Sequence, residues 1–147
     1  MNTAIIVDLD GTLCNARHRV KYVEGKYKDW IAFYDASKDD KVNHWCASII
    51  NLYASHSGTS IILLTGRPNN YRVITEKWLH TNKIIHDMLL MRKAKDYRSD
   101  IEIKEEIYNE YIKNEYDILF AIDDRTQVVK MWRDLGITCL QCAEGNY

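Results

Sequence analysis

Short apolar runs, each ending abruptly in polar residues, dominate the pattern along the chain. Ala4-Ile5-Ile6-Val7, Ile61-Ile62-Leu63-Leu64, Met88-Leu89-Leu90-Met91, Ile118-Leu119-Phe120-Ala121-Ile122 and Ile137-Thr138-Cys139-Leu140 are four or five residues long. Unbroken runs of that length predict strands buried on both faces. Between them, apolar residues recur at helical spacing. Val42, Trp45, Cys46, Ile49 and Tyr53 predict a helix ending near Ser57-Gly58, and Pro68-Asn69-Asn70 opens another that carries Val73, Ile74, Trp78 and Leu79. Ser99 or Asp100 caps a third helix, with apolar positions at Ile103, Ile107, Tyr111 and Ile112. Thr126 caps a fourth, which holds Val128, Val129 and Trp132 and closes at Gly136. Strands alternating with helices imply an α/β, three-layer Rossmann-like fold with a five-stranded, mainly parallel sheet. One domain over residues 1–147 is expected, with residues 15–40, which lack a clear period, as a lid or small cap.

In such a sheet, ligands sit beyond the carboxyl ends of the strands. The first run stops at Asp8 and Asp10, the second at Thr65-Gly66-Arg67 and the fourth at Asp123-Asp124, while Lys104 stands one turn into the helix before the fourth. Asp8 and Asp10 are two residues apart, so both are expected to face one spot, and Gly11 allows a tight turn after them. Taken alone, Asp8 to Thr12 also reads as a plain polar turn. Repetition at three strand ends argues for a site instead. Carboxylates so crowded call for a cation if they are to stay ionised. Mg²⁺ wants hard oxygen ligands, which Asp8, Asp123 and a backbone carbonyl can supply. Thr65, Arg67 and Lys104 can hold phosphoryl oxygens, one carboxylate can act as nucleophile, and Asp10 can move a proton. The inventory suits phosphoryl transfer.

Composition alters this picture little. The chain is 46% hydrophobic and 28% charged with one proline, and its net charge of −1 confines any polynucleotide contact to a cleft or an end. Within residues 15–40 lie Arg17, Arg19, Lys21, Lys26, Lys28 and several aromatic residues, a mixture that can grip phosphates and stack on bases, or equally form a solvated loop with aromatics plugged into the core. Cys14, Cys46, Cys139 and Cys142 read as reduced thiols, because no second pair completes the half zinc site of the last two. The five histidines read as solvated or structural, the run Arg92 to Arg98 as a solvated loop, and Arg125 as a partner of Asp124. No membrane-spanning run or export signal is visible, so a cytoplasmic protein without membrane partners is expected, in the host cytoplasm if phage-encoded.

Asp8-Leu-Asp10-Gly-Thr12, Thr65-Gly-Arg67, Lys104 and Asp123-Asp124 resemble, in order, the four motifs of the haloacid dehalogenase (HAD) superfamily phosphatases. Ala121 to Gly136, and Arg98-Ser-Asp100 leading into Lys104, are similar to the 3′-phosphatase domain of bacteriophage polynucleotide kinase/phosphatase. That resemblance implies an Mg²⁺-dependent enzyme that removes 3′-phosphates, and 2′,3′-cyclic phosphates, from RNA or DNA ends. It implies Asp8 as the phosphorylated nucleophile, Asp10 as acid/base, and Thr65, Gly66 and Lys104 as phosphate holders. Asp123 and Asp124 would serve the metal, with the backbone carbonyl of Asp10. Arg67 and Asp100 match positions that matter in the narrower family, Arg98 accompanies them, and Arg19 fits an early loop arginine better than Arg17. The family's two-domain members carry a Gly-x-x-x-x-Gly-Lys-Ser/Thr kinase loop that these 147 residues lack, so no 5′-kinase activity is expected and a separate kinase and ligase would complete the repair. Two rival readings are a nucleotidase acting on free nucleoside monophosphates and an inactive nucleic-acid-binding scaffold.

Overall fold

In the computed structural model, which describes residues 1–55 and 58–147, each apolar run becomes a strand. β1 (Asn2–Val7) is followed by an insertion that β2 (Cys14–Asn15) and β3 (Lys41–Val42) close as a short antiparallel pair. The insertion is not structureless: it holds a 3₁₀ helix (Arg17–Tyr22), helix α1 (Trp30–Asp35) and a second 3₁₀ turn (Ala36–Asp39). Helices α2 (His44–Ala54), α3 (Arg72–Thr81), α4 (Asp100–Ile107) and α5 (Thr126–Asp134) then alternate with strands β4 (Thr59–Pro68), β5 (Met88–Arg92), β6 (Tyr116–Asp123) and β7 (Cys139–Gln141). The end expected for α2 near Ser57, and His56 with it, lies outside the described residues.

The main sheet runs β5-β4-β1-β6-β7, with every pair parallel. The chain moves outward from β1 to β4 and β5, then crosses back to β6 and β7. Strand order therefore reverses at β1, and the carboxyl ends of β4, β1 and β6 lie side by side. The two faces are filled as an alternating pattern requires. Ile5, Val7 and Leu63 pack with Cys46 and Ile50 of α2 and Trp78 of α3. Ile6, Ile62 and Leu64 pack with Val128, Val129 and Trp132 of α5 on the other side. Burial of each such large side chain contributes about 1.5–3 kcal/mol.

Several local expectations are corrected. Thr65, Gly66 and Arg67 belong to β4 itself, because β5 keeps pairing alongside, Thr65 against Met91 and Pro68 against Arg92, across a bulge. The helix expected to open at Pro68 therefore begins at Arg72, after a 3₁₀ turn, which leaves Val73 80% exposed and turns Thr75, Trp78 and Leu79 inward. On α2, Cys46 and Ile50 form the buried face and Trp45 is exposed. Leu119 is also exposed, because the register of β6 on β1 skips it between Ile118 and Phe120. A π turn over Tyr108–Ile112 widens the end of the α4 segment, burying Ile112 and leaving Tyr111 outside. Thr126 is not a cap: Arg125 holds that position, and Thr126 Oγ1 instead accepts from Gln141 Nε2 at 3.0 Å.

The helix that carries Lys104 has the best-made N-terminus. Ser99 Oγ accepts from the Glu102 backbone N–H at 3.3 Å, and Glu102 Oε2 accepts from the Ser99 N–H at 3.2 Å, a complete capping box. Ser99→Ala is expected to cost about 1 kcal/mol, read as a lower denaturant midpoint at unchanged m-value. Thr126→Ala, which removes no cap, should change stability by less than about 0.5 kcal/mol.

Candidate active site

The turn after β1 is built to close tightly. Asp8 N–H donates to Ile122 O at 3.1 Å, Thr12 N–H to Leu9 O at 3.0 Å, and Gly11 N–H to Cys14 O at 2.9 Å. Gly11 sits at φ +84°, and a Cβ there would collide with the Asp124 carboxylate. Glycine thus allows both the left-handed turn and the close approach of a second acidic strand end.

Three strand or helix ends meet beyond this turn. Lys104 Nζ, reaching from α4, donates to Asp8 Oδ1 at 2.9 Å and to Asp123 Oδ2 at 2.8 Å. Thr12 Oγ1 donates to Asp8 Oδ2 at 3.0 Å, and the Tyr147 hydroxyl donates to Asp124 Oδ2. Lys104, Asp8, Asp123 and Asp124 are all buried. Burial would strip the Lys104 proton, but the charges of Asp123 and Asp8 outweigh it and hold the ammonium on. Burial, then the neighbouring Asp123 charge, push the Asp8 carboxyl well above its ordinary value despite Lys104. Asp124 is raised as well, chiefly by burial. Three carboxylates thus crowd around one ammonium, which donates to Asp8 and Asp123, so keeping all three ionised calls for a further cation.

Asp10 does not join them. Its carboxylate is held by a second cluster, so the two acids of the turn have different partners. Arg67 grips Asp10 with two N–H groups, Nε to Oδ2 at 3.0 Å and Nη2 to Oδ1 at 2.6 Å, and Arg19 Nη2 donates to Asp10 Oδ1 as well. Asp40 completes the cluster, accepting from Arg19 Nε at 2.8 Å, Arg19 Nη2 at 2.7 Å and His18 Nε2 at 2.7 Å. Here two carboxylates meet two guanidiniums and charge balances. Burial acts to raise Asp10, but Arg67 and Arg19 outweigh it and hold its carboxyl well below the usual range.

A third group lies beside Gly66. Asp100 accepts from Arg92 Nη2 and, at 2.9 Å, from Arg125 Nη1, while Arg92 Nε donates to Gly66 O at 2.8 Å. A Cβ on Gly66 would press into the Asp100 carboxylate, so only glycine lets β4 lie this close. Two cations share one acid here, which leaves a positive surplus next to the negative cluster. Arg125 pairs with Asp100 rather than Asp124, because its backbone N–H is already turned to Asp123 Oδ1 at 3.1 Å and its side chain runs outward. Arg98 and Arg17 are not drawn in. Arg98 is exposed and paired with Asp96 and Glu106, and Arg17 is exposed at the start of the 3₁₀ helix. Thr65 is buried at the end of β4, its Oγ1 accepting from the Arg67 N–H at 3.1 Å.

Residues 2–147 match the family described as the polynucleotide kinase PNKP phosphatase domain, of the HAD class. The chain belongs to this family. A chain of the Pnkp1/Rnl/Hen1 RNA repair complex is 37% identical and superposes with a TM-score of 0.89, covering 100% of this chain and 44% of its own length. A candidate bifunctional polynucleotide kinase/RNA ligase of Autographa californica nuclear polyhedrosis virus is 28% identical over 138 residues, 91% of this chain and 18% of the viral protein. This chain thus spans less than half the length of either relative. A hydrolase from Streptococcus pneumoniae TIGR4, 14% identical with a TM-score of 0.62 over 97% of this chain and 94% of its own, shares the fold.

Within this PNKP-type phosphatase domain, the chemistry of the donor set tells the two acidic clusters apart. Asp8, Asp123 and Asp124 each offer a carboxylate oxygen within 4.8 Å of the others, a hard, all-oxygen set with negative charge to spare. Such a set fits a divalent cation. Asp10, Cys14 and Asp40 are equally close, but their charge is already met by Arg19 and Arg67. Sequence reasoning passed over Asp40, Thr12, Arg92 and Tyr147. Only Thr12 carried a local signal, as the last residue of the first motif. Asp40 and Arg92 earn their places through partners 21 and 26 residues away. Among the described residues, every buried side-chain N or O atom has a hydrogen-bond partner.

Asp10→Asn leaves Arg19 and Arg67 sharing Asp40 alone. Stability near neutral pH should fall by about 3 kcal/mol, the usual consequence of breaking a buried ion pair. Because the folded-state value of Asp10 is depressed, its contribution is complete above about pH 4 and is lost as pH falls through the folded value. Denaturation of parent and variant across that range should show the gap narrowing only in acid.

Proposed function

We propose that this domain is an Mg²⁺-dependent 3′-phosphatase of RNA or DNA ends, with Asp8 as the nucleophile. The observation that carries the reading is the Lys104 ammonium bridging Asp8 and Asp123 across three separate stretches of chain. One oxygen of Asp8 is thereby oriented, and positive charge stands where phosphoryl oxygens must be neutralised. Asp8, Asp123 and Asp124, with the backbone carbonyl of Asp10, would hold Mg²⁺. When bound, the ion would offset carboxylate–phosphate repulsion and polarise the phosphoryl group.

An Asp8 oxygen attacks phosphorus as the bond to the 3′ oxygen breaks, and the leaving alkoxide takes a proton from Asp10. Water then gives a proton to Asp10 and attacks the aspartyl phosphate, so the phosphorus–Asp8 bond breaks and phosphate leaves. Held ionised by Arg67 and Arg19, Asp10 stands in the form needed for the second step. For the first step Asp10 takes a proton from the phosphate monoanion of the substrate and passes it to the alkoxide, and the proton it later gains from water is released to solvent. Thr65, the Gly66 backbone and Lys104 would surround the phosphoryl oxygens. The cationic surplus of Arg92 and Arg125 around Asp100 would draw the anionic end toward β4. The nucleic-acid assignment is supported by family membership and by the RNA repair complex that contains a relative. The kinase and ligase steps of such a repair are assigned to polypeptide outside these 147 residues.

With Mg²⁺ present, phosphate release from a 3′-phosphorylated oligonucleotide should exceed release from its 5′-phosphorylated counterpart. Asp8→Asn should lower turnover by about 10³-fold or more, and a chelator should abolish it in the parent. Equal release from both ends would overturn the 3′ assignment, and full activity in Asp8→Asn would overturn the covalent mechanism.

A further inference from the structure

Helix α1 has the sequence Trp-Ile-Ala-Phe-Tyr-Asp, yet none of its residues is buried. Ile31 is 69% exposed, Trp30 48%, and Tyr27, just ahead of the helix, 84%. A helix so apolar ordinarily disappears into a core. Here Trp30 and Tyr34 stack on one another instead, with centroids 5.9 Å apart and planes 24° apart, and Tyr34 meets Tyr71 at 5.0 Å. Phe33 also meets Trp30 edge-on at 5.5 Å, and about half of Trp30 stays exposed.

Cations interleave with these rings. Lys26 Nζ lies 5.7 Å from the Tyr27 centroid and Lys28 Nζ 5.9 Å from that of Trp30. Residues 17–28 hold five cations and one carboxylate in a chain whose net charge is −1. The row is also bolted to the catalytic cluster. Arg19, which grips Asp10, donates to Phe33 O at 3.4 Å and lies 4.4 Å over the Phe33 ring. Tyr34 lies near enough to Asp10, Asp100, Arg92 and Arg67 for their charges to act on its hydroxyl. The aromatic row therefore starts at the proposed reaction centre and leads away from it.

We propose that this surface is a track for a single-stranded polynucleotide, in which a base upstream of the terminal phosphate stacks on the exposed part of the Trp30 ring and backbone phosphates meet Lys26 and Lys28. The proposal deepens the 3′-phosphatase reading and rests on it for the direction of the strand. Stacking on an aromatic ring tolerates any base, and lysines beside exposed rings can follow the backbone rather than read bases. A polynucleotide end, unlike a free mononucleotide, carries the upstream nucleotide that fills the track.

The test uses fluorescence anisotropy of a labelled single-stranded oligonucleotide ending in a 3′ hydroxyl, which the enzyme cannot turn over, beside kinetics on the 3′-phosphorylated form. Trp30→Ala should weaken binding about tenfold, and Trp30→Phe should recover most of it. The Lys26→Ala/Lys28→Ala double variant should reduce the salt slope of log affinity by about 1.4. KM for the phosphorylated oligonucleotide should rise in parallel with kcat unchanged. Binding that is the same in the parent, Trp30→Ala and the double lysine variant would overturn the track, even with phosphatase activity intact. A parent that hydrolyses no 3′-phosphate, yet loses oligonucleotide binding in these variants, would overturn the phosphatase reading and leave the track standing.

Discussion

Buried carboxylates must be compensated, and this requirement organises the whole carboxyl edge of the sheet. Asp8, Asp40, Asp123 and Asp124 are all nearly inaccessible to water, a state that costs several kcal/mol per ion unless cations and hydrogen bonds replace the lost hydration. The cations come from far along the chain: Lys104 from α4, Arg67 from β4 and Arg19 from the insertion. Each compensating contact therefore also ties a distant element to the turn after β1. The site and the tertiary structure are held by the same bonds.

Compensation is uneven, and the proposed chemistry would draw on that unevenness. Around Asp10 and Asp40, two guanidiniums match two carboxylates and hold Asp10 ionised. Around Asp8, one ammonium serves three carboxylates, and burial and mutual repulsion push Asp8 upward. Around Asp100, two guanidiniums serve one acid. A cluster rich in acids beside one rich in cations suits a divalent cation together with an anionic substrate. Two glycines make the juxtaposition possible: Gly11 admits Asp124 against the first turn, and Gly66 admits Asp100 against β4.

The insertion after β1 has a double attachment. It closes on itself through the β2–β3 pair, and it reaches the site through Arg19, whose guanidinium touches Asp10, Asp40 and Phe33 at once. Trp78 of α3 adds an anchor by donating to Asp40 O at 2.8 Å. Helix α1 is thereby held beside the Asp10 cluster without being buried by the core. A segment with no clear period in sequence, rich in cations and aromatic residues, folds into helical turns fixed beside the site.

Much of this molecule was legible in the residues alone. Five apolar runs specified five strands, three of them largely buried and β6 and β7 partly exposed. Helical spacing specified the layers that cover them, and polar residues at three run ends marked the edge where they gather. Those features are local, set by side-chain period and by turn chemistry, so they survive reading in one dimension. Boundaries failed where a neighbour intervened: β5 extended β4 through Arg67, and the β1 register displaced Leu119. Partner choice failed for the same reason. Asp10 turned from Asp8 to Arg67, Arg125 went to Asp100, and Arg92 left its apparently solvated run to hold Gly66. Residue type and spacing determine that acids and bases will meet at this edge. Which acid meets which base depends on how closely separate strands approach, and only the packed sheet decides that.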